Sequence, residues 1–279
     1  MKPLKSVIII ILMLLPFTSL SAMDISVGGT IWYAWWNPHV EDSMRGENNN
    51  YTKSGSFSEA YNDTFEKSPE FIAGPFIGLT FLDNWSLGLL FLGSTEYKFH
   101  STYDVYFISA PSNIVHVDFN VAGNRYDFDS TLSYKLNQYL KVLAGYKYMM
   151  YDVTGSYIAT GVSPISLDME WENRMHGPGA GINSTIPLFS SFFIPISISV
   201  LQLKSETRQK MYYQSTGTSY SDTKINSTFK GYNISPGIGY YSESLEMSFI
   251  LGGRYQYMKN EDDKRDEFYG ISISALYTL

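Results

Sequence analysis

The sequence contains no cysteine among its 279 residues. This absence excludes disulfide bonds, thiol catalysis, zinc–thiolate sites and a lipidated cysteine. After residue 15, no run approaches the roughly 18 consecutive apolar residues that a transmembrane helix requires. Charged residues make up only 17% of the chain, and the net charge is −7. A nucleic-acid partner would require a basic face, so none is expected.

The first residues have the features of a removable export signal. Lys2 and Lys5 precede an apolar run over 7–15, and small residues at 20–22 offer a cleavage site. The run is too short to span a bilayer, which favours a secretory signal peptide over an anchor. We predict a signal peptide over 1–22 and one domain over 23–279.

The final stretch, 268–279, alternates strictly between apolar and small polar residues. A period of two indicates a strand whose faces meet different environments. The apolar face continues to the carboxyl terminus, as in a lipid-facing strand that closes a transmembrane barrel. Its members are Tyr269, Ile271, Ile273, Ala275, Tyr277 and Leu279.

Similar two-sided segments recur along the mature chain. We predict ten strands, near 25–36, 70–82, 85–99, 125–136, 139–154, 174–187, 192–205, 228–240, 245–259 and 268–279. Four short links alternate with five long polar stretches, at 37–69, 100–124, 155–173, 206–227 and 260–267. Strict alternation of this kind is typical of outer-membrane barrels, which have short periplasmic turns and longer external loops.

The fold prediction is therefore all-β: a closed antiparallel up-and-down transmembrane barrel of about ten strands. The alternative is eight strands, with the hairpin 174–205 outside the bilayer. Four prolines interrupt predicted strands and would sit at bulges or at a locally open seam. They are Pro75, Pro178, Pro195 and Pro236.

Aromatic residues cluster near both ends of the predicted strands, where two membrane interfaces would lie. The interface set is Trp32, Trp35, Trp85, Tyr139, Tyr240 and Tyr277. The opposite faces carry charges of both signs: Glu96, Lys98, Arg125, Asp127, Asp129, Lys135, Lys141, Lys147, Glu246 and Arg254. We interpret them as an ion-pair network that fills a narrow bore. A lining that selects small solutes is the alternative.

The whole mature chain resembles small Gram-negative-type outer-membrane β-barrel proteins of the OmpW, OmpA-domain and opacity-protein kind. The resemblance rests on the strand pattern. The last strand resembles the signal by which such proteins are recognised for assembly, with Tyr269, Tyr277 and Leu279 on its apolar face, although it ends in Leu rather than the customary Phe or Trp. The resemblance implies an integral outer-membrane location. The implied partners are membrane lipid and the outer-membrane assembly machinery.

Function is less constrained than fold. We expect a structural or surface-interaction role without enzymatic activity, cofactor or metal, and an external ligand bound through 37–69 and 206–227. The alternative is a narrow, porin-like channel for small polar solutes or, as OmpW-likeness implies, small hydrophobic ones. A remote alternative is a surface protease or lipid hydrolase that uses His176 with Glu172 or Asp168.

Overall fold

The computed structural model describes residues 24–39, 57–107, 110–161 and 164–279. These residues form twelve antiparallel strands: β1 (Asp24–Asn37), β2 (Phe57–Lys67), β3 (Glu70–Phe81), β4 (Trp85–Ser94), β5 (Tyr97–Phe107), β6 (Ala110–Lys135), β7 (Leu140–Gly161), β8 (Ile165–Pro187), β9 (Phe192–Tyr213), β10 (Ser219–Ser242), β11 (Met247–Lys259) and β12 (Arg265–Thr278). Within these ranges no helix is long and apolar enough to cross a membrane. The predicted signal peptide lies outside the described residues.

Ten of the strands close into a ring. β1 pairs with β3 on one side and with β12 on the other, where Ile31 faces Ile273. The remaining neighbours follow in the order β3, β4, β6, β7, β8, β9, β10, β11 and β12. The closed ten-stranded barrel is thus confirmed. The eight-stranded alternative is wrong, because β8 and β9 are each paired along both edges inside the ring.

β2 and β5 prolong the wall at one end of the ring. β2 directly precedes β3 in the chain, and β5 follows β4 after residues 95–96. β5 pairs with the first half of β6, and β2 pairs with β5. The hairpin of β3 and β4 therefore extends well beyond the ring.

Four tight turns close the other end. The turn between β3 and β4 contains Leu82 and Asp83, whose φ angles are 51° and 57°. Successive residues with positive φ produce the mirror-image turn that matches the right-handed twist of a two-stranded ribbon. The turn after β10 likewise contains Glu246, with φ 52°.

Most of the predicted loops 100–124, 155–173 and 206–227 is strand in the described residues, which corrects the sequence-based assignment. β6 has 26 residues, which at roughly 3.3 Å each would measure ~85 Å. The error has a physical cause. Beyond the apolar belt both faces change character: outward residues become polar, while inward residues such as Val117, Phe119 and Val121 are buried. The amphipathic signal is reversed there, and it resembles an irregular polar segment.

The strand prolines are accommodated without bulges. In the β3–β4 ladder, the pairs Ala73–Gly93 and Phe76–Leu90 keep one register, and the intervening pairs beside Pro75 are missing. The ladder between β10 and β11 shows the same gap beside Pro236. Each proline opens one side of the sheet locally, because it lacks the N–H that the ladder requires.

The outer surface of the ring carries a continuous apolar belt. Leu251 is 59% exposed and Ile273 is 66% exposed, which is unusual for aliphatic side chains in a folded protein. Tyrosine and tryptophan border the belt on both sides. Trp85, Tyr139 and Tyr240 lie near the tight turns, and Trp35 stacks on Tyr269 at the opposite rim, with ring centroids 5.7 Å apart.

Candidate functional site: the bore of the barrel

Packed side chains close the half of the bore that lies away from the tight turns. Trp36 is central to this cap: its ring meets that of Tyr151 edge-on at 4.7 Å and that of Tyr97 at 5.4 Å. The cap is as buried as the core of a water-soluble domain. It comprises Trp32, Trp36, Tyr97, Phe99, Met149, Tyr151, Met175, Leu203, Phe229, Met258 and Phe268.

One predicted interface aromatic belongs to this cap instead. Trp32 is 7% exposed and points inward, which corrects its assignment to the membrane interface. β1 has apolar residues on both faces, with Ile31, Tyr33 and Trp35 outward and Trp32 and Trp36 inward. Residue type alone therefore gave no means of choosing its inward face.

A buried layer of charges lies against the cap. Arg125 donates two hydrogen bonds to Asp127, at 2.9 and 3.1 Å. The Lys147 ammonium donates to Asp127 at 3.0 Å and to Asp129 at 2.8 Å. A bidentate guanidinium–carboxylate pair with a shared lysine is the arrangement that compensates buried charge most fully.

Arg254 completes the layer from the opposite wall. Its guanidinium donates to Asn233 Oδ1 at 2.7 Å and to Gln256 Oε1 at 3.1 Å, and it lies 3.7 Å from Asp129. Phe268 contributes to the same layer, because its ring centroid is 4.5 Å from the Arg125 guanidinium carbon. Such cation–π contact is favourable for a desolvated cation.

Several residues predicted to lie in the bore lie elsewhere. Glu96 and Lys98 pair with each other at 3.5 Å with mostly exposed side chains, because the strand alternation shifts by one residue at the break between β4 and β5. Glu246 occupies a tight turn and accepts a hydrogen bond from the outward Tyr277 at 3.4 Å. Lys135, by contrast, is on the bore face of β6, in register with Lys141, but at the very end of the strand, where its side chain is exposed.

A second buried polar cluster lies beyond the rim of Trp35 and Tyr269. The imidazole Nδ1 of His39 is 2.6 Å from the hydroxyl of Tyr151. Burial, and secondarily the charge of Lys264, lowers the pKa of His39 to about 3, so the ring is neutral. Burial raises the pKa of the nearby Asp266 to about 6, against the opposing effect of Arg125.

Below the charge layer the bore opens into a vestibule at the tight-turn end. The cavity measures about 420 Å³. Its wall consists mainly of small hydroxyl, amide and glycine residues, with a few apolar ones. The wall includes Phe76, Ser86, Thr131, Ser133, Lys141, Asn183, Ser197 and Ser199. The charge layer forms its roof, since Asp129, Lys147 and Arg254 also line it.

The histidines are not arranged as the sequence suggested. His176, Glu172 and Asp168 share β8, where four residues span about 13 Å, and His176 instead contacts the Tyr146 hydroxyl at 2.6 Å. The predicted dyad is therefore not formed.

Two other histidines contact carboxylates, on the hairpin of β5 and β6. His116 Nδ1 is 2.5 Å from Asp104 Oδ1, and His100 Nε2 is 3.7 Å from Asp118. The sequence analysis missed both pairs, because 100–124 was interpreted as a loop. The alternation of His100, Thr102 and Asp104 was the available signal.

The remaining predicted positions can be located. Tyr277 lies on the outward face of β12. Leu279 directly follows this strand, and its amide donates to the Ile25 carbonyl at 2.7 Å. Their role as an assembly signal stays a prediction. In the described ranges, no three His, Asp or Glu side chains are close enough to hold a metal ion.

Comparison with known proteins identifies the fold class. The outer membrane protease OmpT from Escherichia coli matches with a TM-score of 0.57 at 10% sequence identity, over 93% of this chain and 97% of OmpT. The β-domain of the Bordetella autotransporter BrkA (TM-score 0.38, 8% identity, 93% and 100% covered) and the CymD monoaromatic hydrocarbon channel (0.30, 11%, 92% and 88%) are more distant. No family model and no curated sequence matches.

The chain has the outer-membrane β-barrel fold. The likeness to OmpT, at so low an identity, concerns the course of the strands and not the chemistry of any site. It agrees with the apolar belt and its two aromatic rims, which are the features of a lipid-facing wall.

Proposed function

We propose that this protein is an integral outer-membrane barrel with a closed bore and a structural or surface-interaction role. The observation that carries the proposal is the cap, in which Trp36, Met149 and Phe229 are at most 1% exposed. A path for solutes would have to pass both this cap and the buried ion pairs beneath it. Breaking either would leave charges or apolar surface uncompensated.

The location follows from the wall. An apolar belt bounded by aromatic rims matches the ~25 Å apolar band of such barrels, and the predicted signal peptide would direct export. The tight turns then face the periplasm, and the extended hairpins face the exterior. The assembly machinery and membrane lipid are the partners that this arrangement requires.

The extended hairpins supply the surface for interaction. On β9 and β10, Arg208 and Asp222 pair at 2.7 Å across the ladder. At the tip, Tyr213 and Tyr220 meet edge-on at 5.3 Å with exposed rings. Aromatic side chains held on a rigid scaffold favour recognition. We therefore assign the external ligand predicted for 206–227 to this hairpin; most of 37–69 lies outside the described residues.

Planar-bilayer recordings test the closed bore. The purified folded protein is expected to give no stepwise currents, whereas Trp36→Ala/Phe229→Ala/Arg125→Ala, which removes two rings of the cap and breaks the ion pair beneath them, is expected to give small ones. Heat-modifiable migration on a gel shows whether this variant is folded. Stepwise currents from the wild type that change in ion selectivity with Arg254→Gln would refute the proposal and favour the channel alternative.

Surface hydrolysis is the second candidate, and one contact favours it. The Asp104 carboxylate is hydrogen-bonded to His116 and so holds its exposed imidazole in one orientation. A carboxylate has the same role beside a histidine that acts as a general base. Peptide and lipid A cleavage by the purified protein, with His116→Ala as the variant and His176→Ala as the control, tests this candidate. An inactive wild type removes it, and loss of activity only in His116→Ala establishes it.

A further inference from the structure

The vestibule has an unbalanced set of charges at its mouth. Lys135 and Lys141 are paired in register on neighbouring strands, so their side chains leave the same face of the sheet. Directly opposed residues have Cβ atoms about 5 Å apart, and like charges in that position destabilise a sheet. In the part of the chain that the structure describes, neither ammonium has a carboxylate within ion-pair distance.

The roof does not supply the missing negative charge. Asp129 already interacts with Lys147 and Arg254, and Asp127 with Arg125 and Lys147. Asp24 is on the bore face at the same end, in register with Thr80 of the cavity wall, and its single negative charge does not balance the two lysines. The vestibule therefore presents a net positive potential, which low-dielectric walls concentrate inside the cavity. A cation is disfavoured there, and an anion is favoured.

The wall chemistry narrows the class of anion. Beside Lys141, the wall offers Asn183, directly opposite it in register, and the hydroxyls of Ser86, Ser133 and Thr131. The cavity volume of about 420 Å³ falls in the usual range for small-molecule sites. Hydroxyls and amides bind polyols, whereas Phe76 offers one apolar surface for the face of a ring.

We propose that the vestibule is a binding site for a small polyhydroxylated anion, such as a sugar phosphate or a sugar acid, that enters from the tight-turn end. The anionic group lies between Lys135 and Lys141, and the hydroxyls of the ligand bond to the serine, threonine and asparagine wall. The cap and the charge layer close the bore above the site, so a bound ligand can leave only from the tight-turn end. The site does not depend on the surface role proposed above.

Calorimetric titration of the folded protein in an uncharged detergent tests the site. Glucose 6-phosphate and glucuronate distinguish the phosphate from the carboxylate form, glucose lacks the charge, and inorganic phosphate lacks the polyol. At least one anionic sugar is expected to bind with a Kd below ~1 mM, and glucose is not. Lys141→Gln is expected to weaken binding by roughly tenfold, as the loss of one charge-assisted contact does.

Lys135→Gln is the second variant, because this side chain is exposed and its replacement leaves the packing intact, and Lys98→Gln on the outer wall is the control. Both vestibule variants should lose affinity, and the control should not. Binding of neither anionic sugar, or equal affinity in wild type and both vestibule variants, would overturn the proposal. Inorganic phosphate binding as tightly as the sugars would overturn the assignment to polyols.

Discussion

Asp127 is the residue on which the buried charge layer most depends. It accepts two hydrogen bonds from Arg125 and one from Lys147, and all three side chains are at most 4% exposed. Asp127→Asn keeps the shape and removes the negative charge. Among the described residues, Arg125 then has only Asp266, at 3.9 Å, as a counter-charge. Removing one partner of a buried pair costs about 3–5 kcal/mol, and we expect a loss of that size.

The compensating change separates charge from shape. Arg125→Met/Asp127→Asn removes both members of the pair and leaves Lys147 with Asp129. The double variant is expected to recover most of the stability, because apolar replacement of a buried pair is often neutral. A double-mutant cycle should then give a coupling energy of at least about 2 kcal/mol, with the cost of Arg125→Met alone adding to it.

Urea unfolding in lipid vesicles, followed by tryptophan emission, measures these differences, since Trp32 and Trp36 are buried in the cap. Glu96→Gln is the matched control. It breaks an ion pair whose side chains are 55% and 69% exposed, and such pairs contribute less than ~1 kcal/mol. If Asp127→Asn lowers the free energy of unfolding by no more than Glu96→Gln does, the buried charge layer does not stabilise the fold.

Three other changes test separate parts of the structure. Asp266→Asn should stabilise the protein at neutral pH by up to ~3 kcal/mol and have no effect below about pH 4. The reason is that the pKa of Asp266 is about 6 in the folded state and 3.8 ordinarily, so the wild type loses stability as pH rises between these values. Urea unfolding across this pH range would contradict the prediction if the variant lost stability with rising pH as the wild type does. His39→Gln should act at low pH: the wild type loses stability as pH falls from 6.5 toward 3, because the buried ring resists protonation, and the variant should not show this loss. The same loss of stability at low pH in the variant would refute the prediction. Gly74→Ala should destabilise the protein by about 1–3 kcal/mol, because the added Cβ would lie 1.8 Å from the Phe91 carbonyl oxygen. Gly29→Ala should be tolerated, because the nearest atom to its Cβ is 3.6 Å away; equal urea midpoints for the two variants would refute this prediction.

The sequence predicted the ring best where one face meets lipid and the other meets small polar residues. β12 is the clearest case, with Ile271 and Ile273 outward and Ser272 and Ser274 inward. There the alternation is a direct record of two environments. The strand number and the tight turns followed from it.

The bore was harder to predict, because it is filled by two kinds of side chain. Arg125 and Asp127 gave a polar phase that could be recognised in β6. On β1, by contrast, the inward residues Trp32 and Trp36 are as apolar as the outward Ile31, so residue type does not tell the two faces apart. The prediction that Lys98 faces the bore was wrong for a different reason. The alternation shifts by one residue between β4 and β5, and this shift moves every following side chain of β5 to the opposite face.

These failures have a common cause in the closed bore. An open channel keeps its inner face wet, so its strands stay amphipathic along their whole length. A closed bore is a hydrophobic core over part of its height, and there the inner face becomes as apolar as the outer one. Loss of amphipathicity within a strand that is still paired on both sides, as in β1, is therefore itself a sign of a plugged barrel. By this criterion, a polar substitution of Trp36 should lower the free energy of unfolding more than the same substitution of the outward Trp35. A water-filled bore would produce the reverse order.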